Sequence, residues 1–280
     1  MTALETARSF LFAPGSDEHK LRKALAAAAD AVVADLEDAV AAAEKPAARE
    51  IVVRVLSETG SGPLRLVRVN GAATPWHDGD LAAVERLAPD GLVLPKATPE
   101  AMRELARLGL PVLAIVETAD GLRRAYELAS TRPTAGLILG AVDLGLALRL
   151  EPRPDGQELL FARSSLVVDS AAAGIRGPID QVWVDVRDTE GLDEDCRFAR
   201  SLGFRGKACI HPGQVPVVNE AFAPSADELL RARDVVETYE RAAAEGQGAT
   251  ALDGEMIDLP VVERARQLLA DAKRGVLHAD

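Results

Sequence analysis

The chain has 280 residues, a formal net charge of −12 and a composition that is 48% apolar but only 4% aromatic. This length suits one large α/β barrel or two smaller domains, and the apolar content supplies a large core. The acidic balance, with no dense run of Lys and Arg, argues against nucleic-acid binding, but it does not exclude an anionic substrate held by a local cation or a metal.

Local features argue against three further classes of protein. No run of about 18 apolar residues is present, so we expect no membrane span. The N-terminal segment MTALETARSFLFAPG lacks the basic start and long apolar region of a signal peptide. Cys196 and Cys209 lack the close spacing of a zinc site or disulfide framework. We therefore expect a cytoplasmic protein with two reduced thiols.

Short apolar runs alternate with amphipathic stretches along the chain. The runs predict strands at 9–13, 31–36, 64–69, 91–94, 112–116, 136–139, 181–186 and 207–210. Helices are predicted near 17–29, 44–57, 78–87, 99–108, 119–129, 158–173 and 192–202. Ser16 is the expected N-cap of the first helix, and Thr98 caps the fourth with Pro99 at its first position.

Eight alternating strand–helix units predict parallel strands joined by right-handed crossovers, closed into a (β/α)8 TIM barrel over residues 1–223. An open doubly wound sheet is the alternative, but no G-x-G-x-x-G follows the first strand. Residues 224–280 are predicted to form a C-terminal helical arm or lid, with helices at 225–244 and 260–272 joined by a small-residue linker at 246–254.

Polar side chains follow nearly every predicted strand. They are Glu37, Asp38, Arg68, Asn70, Lys96, Glu117, Asp143, Asp185, Asp188 and His211. The chemistry of this type of barrel takes place at the carboxyl ends of the strands. Charged groups beside apolar runs are costly to bury unless they are paired or bound to a metal. The set therefore indicates a site containing carboxylates, cations and a metal.

Glu117 and Asp143 end neighbouring strands, and two carboxylates with open positions around them suit Mg²⁺, which takes its other ligands from water and substrate. Alternatively, Asp143 is only the N-cap of the next helix, and Glu117 pairs with Arg123 or Arg124.

Arg68 offers a planar fork that matches a carboxylate, or it forms a salt bridge with Glu37 or Asp38. The backbone N–H groups of Gly140, Ala141 and Val142 would form an anion site at the start of a helix.

His211 in CIHPGQ is either a general base or a residue that fixes its loop. The chain contains no G-x-S-x-G elbow, which disfavours a covalent hydrolase.

Eight segments resemble one family when they are taken together and in order. They are RSFLFAPGS, AVVADLEDAVAAAEKPAARE, VRVNGAATPW, GLVLPKA, IVETADG, GAVDL, CIHPGQVPVVNEAF and GEMIDLPVVERA. The set resembles the citrate lyase beta subunit-like family, within the aldolase/citrate lyase group that also holds malyl-CoA and citramalyl-CoA lyases. The resemblance covers nearly the whole chain.

The resemblance implies a (β/α)8 barrel assembled as a homotrimer or dimer of trimers. It implies a Mg²⁺-dependent carbon–carbon lyase, or a synthase in reverse, that cleaves a short hydroxyacyl-CoA such as citramalyl-, malyl- or citryl-CoA into an acyl-CoA and a keto acid through an enolate. The alternatives are a thioesterase acting on the same coenzyme A esters and a lyase subunit that needs an acyl-carrier partner.

The resemblance also implies roles for individual residues near the reacting atoms. Glu117 and Asp143 match the Mg²⁺ ligands of the family. Arg68 matches the arginine that holds the keto-acid oxygen or carboxylate, and Glu37 and Asp38 match the acidic pair that lines the site.

Further matches lie away from the metal. Asp258 matches an acid/base that in relatives comes from a neighbouring subunit, although it could instead cap the last helix. Arg8 and Lys23 match basic residues near the coenzyme A phosphates. This sequence departs from the family at Val142, where Glu is common, and in the Ser-Asp-Glu that follows Gly15, where relatives often have Arg-Pro.

Overall fold

The computed structural model describes residues 3–58, 60, 62–153 and 155–276, and the chain divides into two compact units between Phe222 and Ala223. The strands of the first unit are β1 Ser9–Pro14, β2 Ala31–Asp35, β3 Leu64–Arg68, β4 Gly91–Leu94, β5 Val112–Val116, β6 Thr134–Leu139, β7 Ile179–Asp180 and β8 Gly206–Cys209. They are parallel and follow one another in chain order around a barrel that β1 closes by pairing with β8. The expected (β/α)8 fold is confirmed.

Helices cover the outside of the barrel or form the second unit. They are α1 Ala3–Thr6, α2 Glu18–Leu25, α3 Lys45–Ser57, α4 His77–Leu87, α5 Pro99–Leu105, α6 Ala119–Arg123, α7 Ala125–Ser130, α8 Ala141–Leu148, α9 Leu160–Ala173, α10 Thr189–Leu202, α11 Val215–Ala221, α12 Ala226–Ala244 and α13 Leu259–Val276. Within the described ranges, none combines the length and apolar character needed to cross a membrane. The single helix predicted at 119–129 is two short helices, α6 and α7.

The helix caps test the local predictions directly. Thr98 caps α5 as expected, with its Oγ1 accepting the Ala101 N–H at 3.2 Å. The prediction of Ser16 as the cap of α2 is wrong, because Asp17 holds that position and accepts the Lys20 N–H at 3.0 Å. A carboxylate satisfies the unpaired N–H groups of a first turn as well as a hydroxyl does.

Strand residues alternate between two apolar layers. In β5, Leu113 and Ile115 belong to the cluster inside the barrel, whereas Val112, Ala114 and Val116 belong to the cluster between strands and helices. Because both faces are buried, the strands appear in the sequence as continuous apolar runs.

The seventh strand was predicted at the wrong place. The expected range was 181–186, but β7 is the two-residue segment Ile179–Asp180. Val184 and Val186 are exposed. Asp188, which we expected at a strand end, caps α10 by accepting the Gly191 N–H at 2.9 Å. A strand of only two residues produces no apolar run by which the sequence could locate it.

That acid belongs to a buried cluster of four charges, which we call the ionic quartet and which consists of Arg163, Asp180, Asp195 and Lys207. Asp180 accepts from Arg163 Nε at 3.0 Å and from Lys207 Nζ at 2.6 Å. Asp195 accepts from Arg163 Nη2 at 2.8 Å and also pairs with Lys207. Two cations and two anions thus neutralise each other where α9 and α10 meet β7 and β8, which is how buried charge is tolerated.

The second unit has its own small apolar cluster, which contains Val235, Ile257 and Val262. Besides α12 and α13 it contains β9 Thr250–Leu252 and β10 Glu255–Ile257, which pair antiparallel. The prediction of a plain linker at 246–254 is therefore wrong. Asp253 and Gly254 both have positive φ, the turn geometry that an Asp-Gly pair gives a two-residue hairpin.

Candidate active site

A cavity of about 500 Å³ opens at the carboxyl ends of the strands. Several of the residues predicted for the site line it, namely Asp38, Arg68, Glu117, Gly140, Ala141, Val142 and Asp143. Glu37 lies behind this wall, where it contacts Arg68 and Lys96. The strand-end side chains therefore converge as the barrel geometry predicts.

Glu117 directly follows β5 and is only 3% exposed. One of its oxygens, Oε1, accepts the backbone N–H of Lys96 at 2.7 Å. Burial raises the pKa of this carboxyl to about 7, and the nearby charges of Glu37 and Asp143 add to the effect, whereas Lys96 opposes it. The ammonium of Lys96 lies 3.8 Å from Oε1, so the protein itself provides incomplete compensation for a negative charge here.

Gly140 gives Glu117 the space for this position. A Cβ at residue 140 would lie 2.5 Å from Cβ and 2.7 Å from Oε2 of Glu117, and 2.8 Å from Cγ2 of Ile115. Contacts this short do not occur between real side chains, so only glycine allows the close approach.

Asp143 lies in the first turn of α8, whose N-cap is Gly140 without a side-chain hydrogen bond. The alternative in which Asp143 is the cap is therefore wrong. No hydrogen bond or ion pair joins Asp143 to another residue of the described ranges, and its side chain borders the cavity. The alternative in which Glu117 pairs with Arg123 or Arg124 loses one of these two partners, because Arg124 pairs with Glu100 at 2.6 Å.

The two carboxylates fit a hard divalent cation. They border one cavity, supply only oxygen donors, and leave a buried negative charge that a cation would stabilise. Across the described part of the chain, no three His, Cys, Asp or Glu side chains form a metal-binding group. A metal held here would thus take most of its ligands from water and substrate, which is the coordination that Mg²⁺ favours.

Arg68 is fixed mainly by an acid that the sequence analysis did not select. Its Nε and Nη2 donate to the two oxygens of Asp35 at 2.7 and 2.6 Å. Its Nη1 lies 2.9 Å from Glu37 Oε2 and 3.8 Å from Asp38 Oδ2. Burial alone would lower the pKa of Arg68, but these acids raise it above its ordinary value. The predicted salt bridge with Glu37 is confirmed, and Asp35 is the stronger partner.

Asp35 also fixes the loop that carries the acidic pair. Its oxygens accept the backbone N–H groups of Glu37 at 2.8 Å and Ala39 at 3.2 Å. The one sequence signal for this role is an acid at the end of the apolar run AVVAD. A buried acid in such a run must have partners, because burying an unpaired charge is costly.

Lys45 and Asn70 hold the same loop from its other side. The buried ammonium of Lys45 donates to the carbonyls of Leu36 and Glu37, both at 2.8 Å, and Asn70 Nδ2 donates to Leu36 at 2.8 Å. Lys45 was missed because the start of an Ala-rich amphipathic helix gives no sign that a lysine is buried.

Glu37 links the two cations of the site. Its Oε1 accepts from Lys96 Nζ at 2.8 Å, and its Oε2 forms an ion pair with Arg68 that lacks the alignment of a hydrogen bond. Burial raises the pKa of Glu37, although Arg68 and Lys96 pull it down.

Two predicted residues lie away from the cavity. Arg8 precedes β1, so its backbone lies at the amino end of the barrel, where its N–H donates to Asp30 Oδ2 at 2.7 Å and its Nη1 to the Asn219 carbonyl at 3.5 Å. Lys23 is an exposed residue of α2. Neither borders the cavity, because neither follows a strand.

The remaining candidates have local structural roles. His211 caps the short turn Pro212–Gln214, accepting the Gly213 N–H at 3.0 Å, which is the loop-fixing alternative. In the second unit, Asp258 precedes α13, and its Oδ1 accepts the Val261 N–H at 3.3 Å. Burial raises the pKa of both Cys196 and Cys209 to about 12, so neither thiol is poised as a nucleophile.

Comparison with known proteins gives consistent matches over most of the chain. Residues 8–212 match a family described as HpcH/HpaI aldolase/citrate lyase. The chain is 37% identical to a (3S)-malyl-CoA thioesterase of Cereibacter sphaeroides, covering 95% of this chain and 94% of that protein. It is 36% identical to the citrate lyase subunit beta of Escherichia coli K12, covering 96% and 94%.

A solved structure matches at similar coverage. The crystal structure of CitE from Mycobacterium tuberculosis in complex with magnesium, acetoacetate and coenzyme A superposes with a TM-score of 0.83 and 37% identity, covering 96% of this chain and 99% of CitE.

Proposed function

Because the chain belongs to the HpcH/HpaI aldolase/citrate lyase family, we propose that it is a Mg²⁺-dependent carbon–carbon lyase acting on a short hydroxyacyl-coenzyme A. The products are an acyl-CoA and a keto acid, and the reverse reaction is a condensation. Coenzyme A enters as part of the substrate. The similarity to a CitE that holds magnesium, acetoacetate and coenzyme A supports this assignment.

One observation carries the proposal. Glu117 and Asp143 border the same cavity as the guanidinium of Arg68, so two hard oxygen donors and a fixed cation face one space. This combination suits a substrate that carries a carboxylate next to a carbonyl or hydroxyl, since the arginine and the metal can each take one oxygen.

The residues of the chain divide the chemistry as follows. Glu117 and Asp143 would hold Mg²⁺, which when bound would supply a Lewis acid for the substrate oxygen that becomes the keto group. Arg68 stabilises the negative charge on that oxygen, and it is already oriented by Asp35 and Glu37. The N–H groups of Ala141 and Val142 begin α8 at the cavity wall and favour an anionic group.

We assign proton transfer at the enolate carbon to Asp258, on the resemblance of its GEMID segment to the family. In the proposed assembly, a homotrimer or a dimer of trimers, this residue comes from a neighbouring subunit.

A second candidate function has a specific observation in its favour. The similarity to a (3S)-malyl-CoA thioesterase extends over 95% of this chain. Such an enzyme would release the hydroxy acid and free coenzyme A from the same substrates, with the carbon–carbon bond intact in the product. The similarity to a citrate lyase subunit beta raises a third possibility, a subunit that acts only with an acyl-carrier partner.

One experiment separates these functions. The purified protein is incubated with malyl-CoA, citramalyl-CoA and citryl-CoA, with Mg²⁺ and with EDTA, and the products are separated by chromatography. A keto acid with an acyl-CoA supports the lyase, whereas free coenzyme A with the hydroxy acid supports the thioesterase. No turnover of any thioester would contradict both and favour the subunit.

The variant Asp143→Asn tests the metal assignment in the same assay, with Asp120→Asn as its matched control. Asp120 is an exposed acid in the first turn of α6 and does not border the cavity. We expect Asp143→Asn alone to lose Mg²⁺-dependent turnover. Equal activity of the two variants would remove Asp143 from the metal site.

A further inference from the structure

Helix α8 exposes apolar side chains beside the candidate metal site. Val142 is 63% exposed and Leu146 is 79% exposed, and they lie one turn apart on the same face of the helix. Val184, in the segment after β7, is 70% exposed. Apolar side chains that are exposed together usually mark a place where something binds.

These side chains border a second, larger cavity of about 1190 Å³. Ala141, Val142, Gln181 and Val182 border both this cavity and the one that holds Arg68, Glu117 and Asp143. The second cavity therefore begins where the candidate active site ends, and a bound molecule could extend from one into the other past Val142.

Many of the charges around the second cavity already have partners within the chain. Asp195 is paired with Arg163 and Lys207, and Arg153 with Asp155. Asp188 is used as the cap of α10. An apolar group placed against Val142, Leu146 and Val184 would cover their exposed surface without breaking any of these pairs.

Resting on the function proposed above, we propose that this surface is a specificity subsite for an apolar substituent of about three carbons or more on the keto-acid part of the substrate. Val142 directly precedes Asp143, one of the two assigned metal ligands. A chain attached to the carbon whose oxygen faces the metal would meet Val142 first and Leu146 next. The coenzyme A ester lies on the other side of the bond that breaks.

Binding of a homologous series tests this subsite without requiring turnover. Calorimetric titration of the Mg²⁺-loaded protein with pyruvate, 2-oxobutanoate and 2-oxopentanoate should show affinity rising ~4-fold for each added methylene group, the usual gain on burying one. The corresponding kcat/KM values for condensation with acetyl-CoA should rise in the same order. Affinity and rate that fall with chain length would overturn the subsite.

The variant Leu146→Glu tests whether α8 carries the preference. It should reduce the gain per methylene to less than about twofold, because a carboxylate keeps water in the cavity. The matched control is Val168→Glu, since Val168 is 64% exposed on α9 and borders neither cavity. A loss of chain-length preference in both variants, or in neither, would contradict the assignment to α8.

Failure of this inference can be told apart from failure of the proposed function. Turnover of the small thioesters without a chain-length preference keeps the function and removes the subsite. Graded binding of the oxo acids without any turnover keeps the subsite and removes the function. A Leu146→Glu variant that changes only its oligomeric state on gel filtration would instead assign the α8 surface to contact with a second copy of the chain.

Discussion

Asp35 accepts two nearly equal hydrogen bonds, of 2.7 and 2.6 Å, from the guanidinium of Arg68, and both side chains are largely buried. The same carboxylate accepts the backbone N–H groups of Glu37 and Ala39. One acid thus sets the orientation of the cation at the cavity and the path of the loop beside it. Asp35 acts through Arg68 and does not itself need to touch the substrate.

We expect Asp35→Asn to lower kcat/KM by ~10²-fold, because a misplaced Arg68 no longer meets the keto-acid oxygen. It should also reduce the free energy of unfolding by ~1.5–3 kcal/mol, the usual worth of hydrogen bonds to a charged group, because Arg68 keeps Glu37 as an ion-pair partner. Steady-state kinetics and urea denaturation measure the two effects. The control is Asp90→Asn, because the Asp90 carboxylate pairs with Arg65 near the surface, and this change should cost ~1 kcal/mol or less. Similar losses in both variants would deny Asp35 a special role.

Glu117→Gln should abolish stabilisation by Mg²⁺ while making the metal-free protein more stable at neutral pH. The pKa of Glu117 is raised from 4.5 to about 7 by burial and by neighbouring acids, so the folded state holds this proton more tightly than the unfolded chain. Stability from this group is therefore present below pH 4.5 and is lost as the pH rises to about 7. At ~1.4 kcal/mol per tenfold change in proton affinity, the penalty reaches up to ~3 kcal/mol, and glutamine removes it.

Thermal denaturation in EDTA at pH 4 and pH 8, and again with excess Mg²⁺, measures this prediction. In EDTA, the melting temperature of the variant should exceed that of the wild type only at pH 8. Excess Mg²⁺ should raise the melting temperature of the wild type only. A variant that gains as much from Mg²⁺ as the wild type would show that Glu117 is not a ligand.

Gly140→Ala should damage the site because its new methyl group would collide with Glu117. The distance from the added Cβ to Glu117 Cβ would be 2.5 Å, so one of the two must move. We expect a loss of ~1–3 kcal/mol in unfolding free energy and loss of Mg²⁺ binding. The matched control is Gly145 in α8, where an added Cβ meets nothing within 4 Å. Gly145→Ala should be neutral or gain ~0.5–1 kcal/mol.

Asp258 can be tested for proton transfer separately from its role as a cap. Asparagine caps a helix about as well as aspartate but cannot exchange a proton, so Asp258→Asn should keep the stability and slow turnover by ~10²–10⁴-fold. Asp258→Ala should lose both, with ~1 kcal/mol of stability from the cap. An asparagine variant that turns over at the wild-type rate would leave Asp258 as a cap only.

Much of this site could be predicted from the sequence because barrel strands end at a common rim. Arg68, Glu117 and Asp143 each follow or end an apolar run, so their convergence follows from the fold alone. Asp35 and Lys45 could not be identified as partners in this way, because their partners are distant in sequence and their burial appears only in three dimensions. The seventh strand was misplaced for a related reason, since pairing with Arg163 and Lys207 makes the acidic Asp180 a strand residue.

Because β7 has only two residues, the stability of this part of the barrel depends on side-chain contacts. Backbone pairing on its two flanks is limited to Ile138 with Ile179, Ile179 with Gly206, and Asp180 with Lys207. The ion pairs of the ionic quartet therefore help to hold β7 and β8 together, where few backbone hydrogen bonds join the strands. Deuterium should therefore enter the amides of β7 and β8 before those of β5 and β6, which share a longer backbone ladder.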